Sequence, residues 1–386
     1  MTQPVRHDSM RARNLGVVLD AVQRGGPQTR AALAERTGLT KSTVSKMVGD
    51  LIEAGILAES GPARAGERGR PGVEVVLSGD RVAALGCEIN VDYIAVCLLD
   101  LAQRVRFTRR RGQDNRGKPA MRVIAQLRTL AIEAMAEARR LGLDVAGAGL
   151  AMSGPVAGGV LLNAPNLGWH DVHAVEMLRL PVETVLGNEA NLAALGELWF
   201  GAGERDFLYV SGEIGIGAGL VVGGELFHGA RGLAGELGHV VVSPGGPRCR
   251  CGGAGCLETA AGQEAILTAA GDVETVAELL TRLERGEDLA VKACGEAARA
   301  LGIALTSTVN LLDFDRVVLG GIYAPLFDWL APPIERILAD RLVKLRTTPP
   351  TLIPSQLGGQ AATLGAAGLI VHQVLATPTR FLSRTR

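Results

Sequence analysis

Aromatic residues are scarce in this chain of 386 residues, since Phe, Trp and Tyr make up only 3% of it. Proteins that bind single-stranded nucleic acid stack bases on such rings, so the composition disfavours that class. Long apolar runs are also missing, and none approaches the roughly 18–20 residues of a membrane helix. The N-terminal segment has no apolar core of the signal-peptide type, so we expect a cytoplasmic protein without membrane contact.

An excess of charge is absent too, because 40 Lys and Arg balance 40 Asp and Glu. Nucleic-acid-binding proteins usually carry a basic excess, and the total therefore argues against such a partner. The two parts of the chain differ, however: residues 1–78 hold 11 basic and 8 acidic residues, which leaves 29 and 32 for the remainder. Residues 1–78 are thus mildly basic, and DNA binding stays possible. The placement of a few arginines then matters more than the net charge of the chain.

Glycine, in contrast, is abundant at 51 residues, many of them clustered. Such clusters indicate loops in which the backbone approaches a ligand closely. The length suggests two or three domains of roughly 100–200 residues each.

The first 80 residues have the pattern of a winged helix-turn-helix DNA-binding domain. Apolar residues at helical spacing predict a helix over 13–23, and Thr29 caps a second helix that ends near Gly38. Thr40 opens a third helix with one apolar face, and β-rich stretches at 55–59 and 73–77 flank a loop. Helix, helix, turn, helix and hairpin is the order of a winged module.

Candidate DNA contacts lie on the outward face of the third helix and in the hairpin loop. Short polar and basic side chains let a helix enter a major groove, and arginines beside Gly and Pro reach a minor groove. The alternative is a solvated helix and a solvated turn. The candidates are Thr40, Lys41, Ser42, Thr43, Ser45, Lys46, Arg64, Arg68 and Arg70.

The remaining chain predicts an α/β fold with two lobes and a cleft between them. Strands at 84–89, 93–99 and 105–108, a helix at 119–140 and a strand at 146–152 follow the order of a ribonuclease-H-like lobe. A second series of strands and helices of this kind begins near 183–186. We assign 1–80 to the winged domain, 81–186 plus 362–386 to the first lobe, and 187–361 to a second lobe with a metal site and a dimerisation surface.

A metal site is indicated by Cys249, Cys251 and Cys256, which are interleaved with glycines and preceded by His239. Three cysteines this close in a cytosolic protein favour metal ligation over disulfides. Thiolates with one imidazole suit tetrahedral Zn²⁺, and four protein ligands would make the zinc structural. The alternative is a set of free thiols on a glycine-rich turn.

These motifs resemble those of the ROK family of repressors, open reading frames and sugar kinases, over nearly the full length. The chain carries Glu236-Leu-Gly-His239, then Cys249-Arg-Cys251-Gly-Gly-Ala-Gly-Cys256-Leu-Glu258, together with Asn188-Glu-Ala-Asn191 and Pro165-Asn-Leu-Gly-Trp169. The resemblance implies a two-lobed, actin-like ATPase fold. The winged module is similar to that of the repressor branch, related to regulators of xylose and N-acetylglucosamine use.

In family members that bind sugars, matching residues grip the sugar hydroxyls. Carried over, the resemblance implies contacts from Asn188, Glu189, Glu236, His239 and Glu258. Carboxylates and amides suit vicinal hydroxyls, and His239 would serve both the zinc and the sugar. Alternatively, Glu236 and Glu258 only support the zinc ligands or lie on the surface.

The kinase motifs of the family are altered here. A D-x-G-x-T turn becomes Glu88-Ile-Asn90-Val-Asp92, and a G-T-G loop becomes Glu213-Ile-Gly215. A carboxylate near ATP phosphates repels them, and Glu189 replaces the catalytic Asp with a longer side chain. We therefore expect no kinase activity.

Three functions follow from this reading. The first is a sugar-responsive transcription regulator, most simply a repressor, that binds operator DNA as a homodimer or a dimer of dimers. The second is a glucokinase-like, ATP-dependent sugar kinase with a DNA-binding arm. The third is a DNA-binding protein whose sugar lobe serves only as a dimerisation scaffold.

Overall fold

The computed structural model describes residues 7–62, 72–201, 204–342 and 348–379. Within them, every helix is too short or too polar to serve as a membrane span.

The N-terminal module consists of three helices and a small three-stranded sheet of order β1-β3-β2. Thr29 and Thr40 are the N-caps of the second and third helices, as predicted, and Gly38 ends the second helix with a φ of 70°. The elements are α1 (His7–Gly25), β1 (Gln28–Thr29), α2 (Arg30–Thr37), α3 (Lys41–Glu53), β2 (Leu57–Pro62) and β3 (Val73–Leu77).

The first lobe is built on a five-stranded sheet of order β11-β7-β4-β5-β6. Strands β4, β5 and β6 form an antiparallel meander, and β7 and β11 run parallel to β4. A small antiparallel sheet, β8 to β10, packs into the same core. The elements are β4 (Val82–Ile89), β5 (Tyr93–Asp100), β6 (Val105–Gly112), α4 (Ala120–Arg140), β7 (Asp144–Met152), β8 (Val156–Ala157), β9 (Val160–Ala164), β10 (Trp169–Val172), α5 (Ala174–Leu178) and β11 (Thr184–Asn188).

The strand near 183–186 does not begin the second series, and that expectation is wrong. It is β11, which pairs in parallel with β7 and completes the first sheet. A parallel neighbour is reached through a crossover, so the order of elements along the chain does not reveal which sheet receives it. The predicted division at 186/187 therefore falls inside a strand that ends at Asn188.

The second sheet repeats the plan of the first, in the order β14-β13-β12-β15-β16. Strands β12, β13 and β14 are antiparallel, whereas β15 and β16 follow in parallel. The elements are α6 (Glu189–Phe200), β12 (Phe207–Gly212), β13 (Ile216–Val222), β14 (Glu225–Leu226), α7 (Glu258–Ala261), α8 (Gln263–Ala269), α9 (Val276–Glu284), α10 (Asp288–Leu312), β15 (Arg316–Gly321), α11 (Phe327–Arg341), β16 (Thr351–Pro354) and α12 (Ala361–Ala376).

Helices α6 and α12 pack against each other between the two sheets, α6 against β12 and β13 and α12 against β4, β5 and β7. Their backbones approach closely because glycine occupies the crossing: a Cβ on Gly365 would lie 1.7 Å from the carbonyl oxygen of Leu192. Helix α12 also packs against α1, and the winged module and the first lobe therefore share one continuous hydrophobic core. The predicted α/β architecture, two lobes behind a winged module, is confirmed.

Candidate functional site

A cleft opens where the first strands of both sheets end, lined by Asn90 after β4 and Glu213 after β12. Its empty volume is about 970 Å³, including the part open to solvent. The cleft brings together the five residues predicted to contact a sugar, which are Asn188, Glu189, Glu236, His239 and Glu258. These residues come from distant stretches of the chain, and the fold alone places them around one cleft.

Asn188 and Glu189 reach the cleft because β11 ends there and α6 begins. Asn188 is the N-cap of α6: its Oδ1 accepts from the backbone N–H of Asn191 at 3.1 Å, and its Nδ2 donates to the Gly154 carbonyl at 2.9 Å. One N–H and one lone pair of this amide stay available to a ligand. The neighbouring Asn191 side chain is 9% exposed, and its Oδ1 has no partner among the described residues. The sequence motif contains Asn191 without a predicted contact, and the structure places this residue in the cleft wall.

Glu258 is held by the backbone of the second lobe. Its Oε2 accepts from the N–H of Ile216 at 3.1 Å. The approach requires glycine at 215, because a Cβ there would lie 2.4 Å from the same carboxylate oxygen. Glu258 therefore presents a fixed acceptor rather than a mobile surface charge.

Three glutamates lie close together at the inner wall of the cleft: Glu88 and Glu189 are buried, and Glu213 is half-buried. Burial, reinforced by the charges of Glu213 and Glu88, holds the pKa of Glu189 well above its ordinary range. Burial likewise raises the pKa of Glu213 to about 8, with Glu88 and Asp92 adding to the effect and Arg110 opposing it. The Glu213 carboxyl is therefore largely protonated at neutral pH and can donate as well as accept hydrogen bonds. The raised pKa of Glu189 favours its protonated form, which cannot act as a general base.

The segment that replaces the kinase D-x-G-x-T turn is occupied by its own side chains. The two carboxylate oxygens of Glu88 accept from the hydroxyls of Tyr93 and Thr363, each at 2.5 Å. Nδ2 of Asn90 donates to the same Tyr93 oxygen at 3.2 Å, and the Arg110 guanidinium covers the tyrosine ring at 3.6 Å from its centroid. The side chains of Glu88, Asn90, Tyr93 and Thr363 are buried and bonded to one another, so they offer little to a phosphate group.

The cysteine motif and the histidine form one cluster beside the cleft. The donor atoms of His239, Cys249, Cys251 and Cys256 all lie within 4.8 Å of one another. Nδ1 of His239 is 3.7 Å from Sγ of Cys249, and Sγ of Cys251 is 3.7 Å from that of Cys256. Tetrahedral ligation with metal–sulfur bonds of about 2.3 Å spaces the donors by about 3.8 Å, so this set can hold a metal ion.

His239 connects this cluster to the cleft. With Nδ1 facing the cysteines, its Nε2 lies 3.8 Å from Oε2 of Glu236 on the cleft side. Burial raises the pKa of Glu236, an effect that His239 opposes and Glu258 reinforces. The two ring nitrogens thus face the cysteines and Glu236, and the contacts of His239 with a metal and a sugar stay a prediction.

Arg250 is a cleft residue that sequence reasoning passed over. It stands between two cysteines of the cluster, and its side chain crosses to Asn166, with Nη1 donating to Oδ1 at 2.7 Å. Asn166 belongs to the turn between β9 and β10, on the opposite wall of the cleft. The sequence carries no signal for this contact, because it joins residues 84 positions apart.

The candidate DNA surface is the outer face of α3. Thr40, Lys41, Ser42, Ser45 and Lys46 are exposed there, and Thr43 is half-buried. Thr40 is engaged in capping, since its Oγ1 accepts from the N–H of Thr43 at 3.2 Å. The helix is fixed to α1 by an ion pair of 2.7 Å between Arg11 and Asp50. Arg64, Arg68 and Arg70 lie outside the described residues.

Two different family models match the winged module and the two lobes. The model of the MarR family matches residues 17–68, and that of the ROK family matches residues 84–373. The chain belongs to the ROK family. The ROK match includes the cleft, the cysteine cluster and both sheets, and so confirms the resemblance on which the site was predicted.

Among ROK relatives, a putative xylose repressor of Caldicellulosiruptor sp. (strain Rt8B.4) is 30% identical over 91% of this chain and 93% of its own. A solved ROK family transcriptional regulator, a homologue of the E. coli MLC protein, superimposes with a TM-score of 0.79 at 25% identity, over 97% of this chain and 98% of its own. A ROK glucokinase from Streptomyces griseus in complex with glucose and AMPPNP is 27% identical, with a TM-score of 0.63 over 74% of this chain and 98% of its own. The chain thus shares its complete architecture with ROK regulators and only its two lobes with the kinase, and the predicted class, a ROK transcriptional regulator, is confirmed.

Proposed function

We propose that this ROK protein binds operator DNA through α3 and its wing, and that a sugar in the cleft controls this binding without being phosphorylated. The observation that carries the proposal is the convergence of Asn188, Glu189, Glu236, His239 and Glu258 on one cleft. The fixed acceptor Glu258 and the protonated carboxyl of Glu213 at its wall match the donors and acceptors of a polyol.

The kinase alternative is less well supported by the same cleft. Glu213 and Ile214 stand where the kinases of the family carry their second phosphate loop, and Glu88, Tyr93 and Thr363 fill the first. Glu189 replaces the general base, and burial holds its pKa well above the ordinary range, which favours the protonated form. Binding tolerates such changes far better than phosphoryl transfer, which depends on placement within about an ångström.

We further propose Zn²⁺ as the metal of the cysteine cluster, held by His239, Cys249, Cys251 and Cys256. The donor set of three thiolates and one imidazole suits zinc better than harder cations. Four protein ligands complete a tetrahedron, so the ion would serve to fix the loop and orient His239. Sugar binding and folding of this loop are then linked.

On DNA, a homodimer would place two α3 helices in successive major grooves about 34–36 Å apart, or at multiples of that spacing. Such a protein would act in the cytoplasm. Light scattering measures the oligomeric state. Footprinting on a DNA duplex that the protein selects from a random-sequence pool measures the half-site spacing.

The proposal is tested on a DNA duplex that the protein selects from a random-sequence pool. Fluorescence anisotropy measures its affinity with D-xylose, N-acetyl-D-glucosamine or D-glucose, each also as its phosphate ester. We expect at least one sugar to change the Kd, and Glu236→Ala to abolish the response while Glu225→Ala, an exposed glutamate on β14, leaves it intact.

Two results would contradict parts of the proposal. A DNA affinity that no sugar changes, in the wild type as in Glu236→Ala, would favour a cleft that serves only as a dimerisation scaffold. Sugar-dependent ADP release by the wild type that Glu189→Gln abolishes would favour the kinase.

A further inference from the structure

Helix α6 runs from the cleft to α12, the helix that packs against α1 of the winged module. Its first turn carries Asn188 and Glu189 at the cleft, and its last turn carries Trp199. Twelve residues at 1.5 Å each give a rod of about 18 Å. A displacement of the first turn by a bound ligand is therefore passed along the rod to Trp199.

Trp199 is stacked on His372 of α12. The two ring centroids are 3.9 Å apart, and their planes differ by 17°. On its other side, Nε2 of the His372 ring accepts a hydrogen bond of 3.3 Å from the amide nitrogen of Gln23. Gln23 lies on α1 of the winged module, so the three side chains form one continuous path from α6 to the DNA-binding part.

The helices that carry this path cannot slide freely past one another. Added Cβ atoms on Gly196 and Gly365 would lie 2.4 Å and 1.7 Å from carbonyl oxygens of the opposing helix. Packed elements of this kind change between discrete arrangements rather than deform continuously.

The chain connection between the modules offers a second route, which is tied down at both ends. The backbone N–H of Ser78 donates to the Ile56 carbonyl at 2.9 Å, and the Arg81 guanidinium donates to the Glu53 carbonyl at 2.7 Å. Both acceptors belong to the winged module, so the connector follows that module and has little slack of its own.

We propose that His372, held between Trp199 and Gln23, is the residue that transmits the state of the cleft to the winged module. The proposal rests on the function proposed above. The ligand need only favour one arrangement of α6 and α12, and the bond to Gln23 makes α1 follow.

The test measures coupling, defined as the ratio of the DNA Kd with and without the sugar that shifts the wild type most. His372→Phe keeps a ring against Trp199 but cannot accept from Gln23, and Gln23→Leu removes the donor. We expect both variants to bind DNA alone and sugar alone within about twofold of wild type, and to reduce the coupling three- to tenfold. The double variant should match the single ones, because all three lose the same bond. Gln373→Leu, at an exposed site next to His372, is the control.

The outcomes separate the two proposals. Unchanged coupling in both variants, with a normal wild-type response, overturns the role of His372 and leaves the proposed function standing. Equal losses in Gln373→Leu would also overturn it, since they would report a general effect on α12. If no sugar shifts the wild type, the sensing function fails and this inference fails with it.

Discussion

The Arg250 guanidinium and the Asn166 side chain hold the two walls of the cleft together through a 2.7 Å hydrogen bond. Arg250 also pairs with Glu264 at 2.9 Å, and Cys249 and Cys251 flank it in the chain. A bound metal would fix the backbone on both sides of the arginine. Such a metal would therefore be connected mechanically, through Arg250, to the contact between the two walls.

Replacing Arg250 with Met should accelerate metal loss from the zinc-loaded protein. The contacts are partly exposed, and such pairs contribute about 0–1 kcal/mol, so we expect transfer of zinc to a chromophoric chelator to be two- to fivefold faster. The control is Arg248→Met, an exposed arginine of the same loop whose guanidinium has a long contact of 3.5 Å with the Gly252 carbonyl. Equal acceleration in both variants would show that the loop, rather than the bond to Asn166, sets the rate.

Glu213 should make the protein less stable as the pH rises. Its pKa is about 8 in the folded state against an ordinary value of 4.5, so the unfolded chain releases a proton that the folded protein retains. The stability of the wild type then declines between pH 4.5 and 8, whereas Glu213→Gln, which mimics the protonated acid, avoids this loss. We expect the variant to match the wild type near pH 4.5 and to exceed it by more than about 1 kcal/mol at pH 8 in urea unfolding. A difference that does not vary with pH would contradict the assigned pKa, and Glu225→Gln provides the exposed control.

Lys46 should contribute to DNA affinity through the phosphate backbone. It is exposed on α3 and makes no ion pair among the described residues. Lys46→Ala should weaken binding to all sequences alike and reduce the slope of log K against log salt by about 1. An unchanged slope would place this side chain in solvent. Lys292→Ala removes an equally exposed lysine from α10 and should have no effect.

Gly365→Ala should destabilise the protein, because its methyl group would lie 1.7 Å from the Leu192 carbonyl oxygen. Overpacking against backbone costs about 1–3 kcal/mol or more, which thermal unfolding detects. Gly295 lies within α10 with open space around it, so Gly295→Ala should instead stabilise by about 0.5–1 kcal/mol. If both alanines are tolerated equally, the close crossing of α6 and α12 is not rigid.

Much of this structure could be predicted from local patterns in the sequence. Thr29 and Thr40 cap their helices as predicted, because a capping side chain bonds within its own turn. The sheet that receives β11 could not be predicted, since it depends on contacts between distant segments. The same holds for the cleft: spacing identified the cysteine cluster, but the bond between Arg250 and Asn166 and the protonation of Glu213 arise only from tertiary packing.

The position of α12 also sets the order in which the protein can mature. The apolar face of α1, with Leu15 and Leu19, belongs to the same core as Ile370 and Val374, which a ribosome adds tens of seconds later at about 5–20 residues per second. Until then the nascent winged module exposes part of its core. A chain that stalls before α12 would leave a hydrophobic surface for chaperones and proteases to recognise, so incomplete molecules would be removed before they compete for the operator.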